Sequence, residues 1–132
     1  MSNQFTPKNL RQPISCYEES TWLANGDPEY ENSIYSIWKD KFPVTPGHML
    51  FIPKKNDLPH MRITYGEAFD YAQQHVERGD WDGFNIGQNI GEAAGQTVMW
   101  PHIHVIPRHN GDSKDVGGIR RAIPDGDNKK YY

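Results

Sequence analysis

The chain has 132 residues, with 17 acidic and 14 basic side chains and a formal net charge of −3. That length suits one domain, because two would each be too small to bury a core unaided. A single cysteine, Cys16, excludes an intrachain disulfide framework and a cysteine-only zinc site, and the net acidity speaks against a nucleic-acid partner. Four Trp, seven Tyr and five Phe supply large surfaces for burial. No run approaches the roughly 18 apolar residues of a membrane span, and the N-terminus lacks an apolar signal core. A cytoplasmic location and no membrane partner are the expectation.

Residues 1–13 are polar, carry two prolines and read as an N-terminal arm. Residues 16–32 mix acids with aromatics and hold a turn at Asn25, Gly26, Asp27 and Pro28. Residues 33–38 suit a strand, 42–47 a loop with Pro43, Pro46 and Gly47, and 48–52 a short apolar strand. Residues 63–78 predict the main helix, with Thr64 and Glu67 as a capping box and Ala68, Phe69, Ala72 and Val76 as its apolar stripe. Residues 84–90 alternate as a strand, and 91–95 form a small-residue loop. Residues 97–106 predict a longer strand, which Pro101 demotes to an edge or marks with a bulge. Residues 109–132 read mostly as loop. The fold class is therefore α+β, an antiparallel sheet with one main helix in a single domain over residues 1–132.

Six histidines are present, and two of them, His102 and His104, lie two apart in WPHIHVIPR. On a strand they emerge on one face while Ile103 and Val105 anchor the other. Beside a glycine loop, such a pair suits two chemistries. One is phosphoryl or nucleotidyl transfer through a covalent histidine, with backbone N–H groups cradling phosphate. The other is metal binding through two ligands on one face. For a metal site of the double-stranded β-helix kind, the position of the third ligand falls on Arg108, a cation, which disfavours it.

GQTVMWPHIHVIPR, residues 95–108, resembles the signature of the histidine triad (HIT) superfamily. PVTPGHMLFIPK, FNIGQNIGEAAGQTV and GGIRRAIP are similar to flanking segments of that family, so the likeness spans residues 33–124. The triad's first histidine falls on Trp100, and the second and third on His102 and His104. The resemblance implies a HIT-like fold that forms a homodimer. It implies His102 as nucleophile and His104 as a catalytic, phosphate-contacting residue. It also implies substrate contacts from Asp40 to the ribose, from Asn89, and from the loop Gly95, Gln96, Thr97 and Val98. His48 matches a histidine that packs near the triad's first position.

Some relatives bind zinc through two cysteines, the histidine that His48 matches and the first triad histidine. With only Cys16 and with Trp100, no metal site and no protein-held cofactor are expected here, although substrate can arrive with magnesium. The implied activity is a nucleotide hydrolase acting on dinucleoside polyphosphates such as diadenosine tetraphosphate, through a nucleotidyl-histidine. The alternatives are a nucleoside phosphoramidate hydrolase and a nucleotide binder without turnover. Arg120 and Arg121, in the tail, are placed to reach a partner's site or to lie in solvent.

Overall fold

The computed structural model describes residues 11–114 and 117–126. The expected arm therefore lies mostly outside the described residues. Five strands, β1 (Tyr30–Glu31), β2 (Tyr35–Lys39), β3 (Met49–Pro53), β4 (Gly83–Gly87) and β5 (Ile103–Arg108), form one antiparallel sheet. Its order is β1-β2-β3-β5-β4, and the single long helix among the described residues, α1 (Leu58–Glu77), follows β3. The α+β expectation of one antiparallel sheet and one main helix holds.

β3 is buried along its whole length because both faces of the sheet are covered. Met49 and Phe51 join Ile103, Val105, Ala68 and Ala72 under α1. Leu50 and Ile52 join Tyr17, Trp22, Trp38, Val98 and Trp100 on the opposite face. Thr64, Ala68 and Ala72 are the buried helix positions, and such small side chains let α1 lie close to the sheet. Phe69, read from the sequence as part of the stripe, is 54% exposed.

α1 starts at Leu58, not at residue 63. Asp57 is the N-cap, its carboxylate accepting the His60 N–H at 2.9 Å, and Pro59 occupies the first turn, where a missing N–H costs nothing. Thr64 and Glu67 form no capping box. The Thr64 hydroxyl donates to the His60 carbonyl at 2.7 Å, and Glu67 accepts from the Tyr35 hydroxyl at 3.2 Å.

The predicted strand 97–106 is also corrected. β5 begins only at Ile103, and residues 97–102 are loop, bent at Val98 and Trp100, with a single parallel bridge from Met99 to Pro13. β5 lies between β3 and β4 rather than at an edge. The proline inside it, Pro107, is tolerated because its carbonyl faces the Thr45 hydroxyl beyond the end of β3, at 2.9 Å. Its missing N–H therefore interrupts no ladder bond to β4. No helix among the described residues is long and apolar enough to cross a membrane.

Candidate active site

β5 brings the two histidines out where the sequence places them. Ile103 and Val105 are buried under α1, while His102 and His104 face away from it. His104 pairs across the sheet with Leu50 and with Gly87, and the absent side chain at Gly87 leaves the space beside the imidazole open. One cavity is lined by Asp40, Asn89, Gly95, Gln96, Thr97, Val98, His102 and His104. The expected catalytic and substrate-contacting residues thus meet at one place, whereas His48, Arg120 and Arg121 do not line it. Trp22, Lys41 and Leu50 complete the lining.

Hydrogen bonds fix which nitrogen of each imidazole carries a proton. His102 Nδ1 lies 2.7 Å from the Trp100 carbonyl, an acceptor only, so Nδ1 bears the hydrogen and Nε2 keeps its lone pair. His48 Nδ1 accepts the Val44 N–H at 3.1 Å, so its hydrogen is on Nε2. That N–H sits 2.8 Å from His104 Nδ1 and 3.2 Å from Asp40 Oδ2. The shorter contact gives His104 its hydrogen on Nε2. The cavity is therefore offered a lone pair from His102 and an N–H from His104. His48, which the resemblance places near the triad's first position, bonds His104. The Val44 N–H, in the loop before β3, holds the ring with Nε2 toward Asp40 and His104.

Burial holds all three imidazoles neutral. Desolvation pushes His102 below the usual imidazole value against the opposing pull of the Trp100 carbonyl and Asp40. His48 is lowered by burial, which outweighs Asp40. His104 is pushed down to about 4, by burial first and then by the neighbouring imidazoles.

The loop between β4 and β5 is built around Gln96. Its Oε1 accepts the Gly91 N–H at 2.8 Å and its Nε2 donates to the Val98 carbonyl at 3.0 Å. Both ends of the amide are used by the backbone, so Gln96 shapes the loop. Gly95 sits at a φ of 90°, where a side chain is strained. The Trp100 indole points away from the cavity, donating to the Pro53 carbonyl at 2.8 Å inside the aromatic cluster. Asp40 Oδ1 takes the Phe42 N–H at 2.8 Å and Oδ2 faces His48; a carboxylate still has acceptor sites for a sugar hydroxyl. Sequence reasoning missed Trp22, which comes from a segment with no periodic pattern, and Lys41, whose one signal was adjacency to Asp40.

The HIT domain family profile matches residues 29–111, which hold the sheet, the helix and all of the cavity's lining except Trp22. The chain belongs to the HIT domain family. A HIT-like protein of Saccharolobus solfataricus is 32% identical over 113 residues, covering 78% of this chain and 77% of that protein. A bis(5′-nucleosyl)-tetraphosphatase (asymmetrical) of Schizosaccharomyces pombe is 33% identical, covering 63% of this chain and 50% of that protein. The crystal structure of a zinc-bound histidine triad family protein from Mycobacterium smegmatis superposes with a TM-score of 0.62 at 31% identity, covering 71% of this chain and 75% of that one.

That zinc-bound relative raises the question of a metal in this HIT protein. Asp40, His48 and His104 have ligand atoms within 4.8 Å of one another. They do not fit a zinc ion. A metal-bound histidine donates its second nitrogen's hydrogen to an acceptor. His48 Nδ1 instead receives one, from Val44, so the nitrogen facing Asp40 and His104 carries a proton where a ligand needs a lone pair.

Proposed function

We propose that this HIT protein is a nucleotide hydrolase that cleaves a substituted nucleoside 5′-phosphate, of the dinucleoside polyphosphate class, through a covalent intermediate on His102. One observation carries the reading. Within one cavity, His102 presents a lone pair on Nε2 while the adjacent His104 presents an N–H, both fixed by hydrogen bonds behind them. The name of the S. pombe relative supports the substrate class.

In the first step the His102 Nε2 lone pair attacks the α-phosphorus. A P–N bond forms, and the P–O bond to the leaving nucleotide breaks. The leaving polyphosphate keeps the bonding electrons and needs no proton near neutral pH. In the second step water attacks the same phosphorus and gives a proton to solvent, and the P–N electrons return to Nε2. Splitting one hard displacement into two is the gain of nucleophilic catalysis. His104 Nε2–H, the Thr97 hydroxyl and the backbone of residues 95–98 stabilise the charge gathered on the non-bridging oxygens. Asp40 holds the ribose, and Asn89 meets the phosphate or leaving group. No protein-held metal enters the scheme.

The test incubates the wild type and His102→Ala with diadenosine tetraphosphate and with adenosine 5′-phosphoramidate. We expect wild-type cleavage of the tetraphosphate, a loss of at least about 10³-fold in His102→Ala, and a nucleotidyl adduct on the wild type by mass spectrometry. Turnover of the phosphoramidate alone shifts the substrate class. Binding of nucleotide with no turnover of either leaves a nucleotide-binding protein.

A further inference from the structure

The His102 imidazole is also held from a side that the scheme above does not use. Trp22 lies eighty residues earlier in the chain, yet its indole meets the His102 ring edge-on, with centroids 5.0 Å apart and planes at 62°. Both side chains are buried, at 5% and 8% exposure. Trp22 also lines the cavity.

The segment carrying Trp22 is tied to the stretch that carries His102. The Arg11 N–H donates to the Thr97 carbonyl at 2.8 Å, and Pro13 bridges Met99 in parallel. Tyr17 and Trp22 share one apolar cluster with Val98 and Trp100. The Tyr17 hydroxyl donates to Ser36 Oγ at 2.8 Å, which ties the same segment to β2. Residues 11–25 therefore form a strap that is anchored at the phosphate loop and at the sheet.

We propose that Trp22 is a positioning residue for the His102 nucleophile, its indole setting the plane of the imidazole so that Nε2 aims into the cavity. The bond to the Trp100 carbonyl pins one atom of the ring, Nδ1; a ring plane needs a second contact. The Trp22 edge supplies it and keeps water from that side. A nucleophile held at the attack angle needs no reorientation when substrate enters. The proposal rests on His102 being the nucleophile.

The groups that face His102 are His104 on its own strand, with His48 behind it, Asp40 and Lys41 after β2, and Trp22 from the strap. None but Trp22 belongs to the strap, so a Trp22 variant changes the contact without removing a charge.

The test compares Trp22→Leu and Trp22→Phe with the wild type in the full chain. It reads kcat and KM for diadenosine tetraphosphate, the pH dependence of the rate, and the titration of the His102 ring nitrogens by 15N NMR. We expect Trp22→Leu to lower kcat about 10–100-fold, with a smaller change in KM. His102 should then titrate at higher pH than in the wild type, because water reaches it. Trp22→Phe, which keeps an aromatic edge, should recover most of both. A general packing role would lower the melting temperature without moving the His102 titration in the folded protein. An unshifted titration in folded Trp22→Leu overturns the proposal, and so does a loss confined to KM. If Trp22→Leu does not fold, Trp22→Phe and Trp22→Tyr carry the test, and a His102 titration in either that matches no aromatic contact overturns it. If the wild type cleaves neither nucleotide, the hydrolase reading falls separately, and the NMR titration still decides whether Trp22 sets the state of His102.

Discussion

At the scale of single residues, the informative position is Trp100. The likeness to the family suggests a lost supporting histidine, to be restored by Trp100→His. The geometry argues otherwise. The Trp100 backbone carbonyl fixes the His102 tautomer whatever its side chain is, and the indole fills the aromatic cluster and bonds the Pro53 carbonyl. The contact behind His104 is already made by His48. Trp100→His should therefore give no gain in kcat/KM and should cost roughly 2–4 kcal/mol of stability, from lost volume and a buried polar ring. Denaturant unfolding and steady-state kinetics on the pair check this; a rate gain of tenfold or more would contradict it.

The same residues set a pH dependence. In the proposed mechanism neutral His102 is the attacking form, and burial lowers it below the usual 6.5. The acid limb of kcat/KM should therefore lie below pH 6.5, and a limb at or above that value would show an exposed nucleophile. Stability moves with the opposite face of the same shift. Below pH 6.5 the unfolded chain takes up protons that the folded imidazoles refuse, so stability is lost as the pH drops from 6.5 until His104 is protonated at about 4. Circular dichroism at each pH separates the two effects.

At the scale of elements, legibility followed locality. Strands β2, β3 and β4 and the existence of the helix were readable because alternation and apolar spacing are local. The helix start was not, because Asp57 and Thr64 are both fair caps, and packing of Thr64 against the sheet decided between them. The false strand at 97–102 has a similar cause. Its residues alternate as a strand does, but they are held by Gln96, Pro13 and the strap instead of by neighbouring strands. The site residues were readable through their motif; Trp22 was not, since a contact across eighty residues leaves no local pattern. The loop gives a prediction of its own. Gln96→Ala removes two bonds that close residues 91–98. It should lower kcat/KM for diadenosine tetraphosphate by about 10-fold or more with little change in the His102 titration. Unchanged kinetics would show that Gly95 and the backbone hold the loop alone.

At the scale of the whole molecule, the sheet has an unfinished side. β4 is an edge strand, and next to it Phe69 packs its ring against Phe84 while remaining 54% exposed. Ile63 and Tyr65 on α1 and Ile90 after β4 are exposed as well. An edge strand beside an apolar helix face invites pairing, and a two-fold axis lets the same patch serve both partners. A homodimer through β4 and α1 is the expected outcome. It would continue the sheet and leave the cavity, which lies on the face away from α1, open on each subunit. Sedimentation should give twice the chain mass for the wild type. Phe69→Glu should give the single-chain mass, because a charge placed on that patch stays unpaired in a two-fold contact. A monomeric wild type would mean that β4 is closed in another way. A dimeric Phe69→Glu would place the contact elsewhere, with β1, the opposite edge of the sheet, as the next candidate.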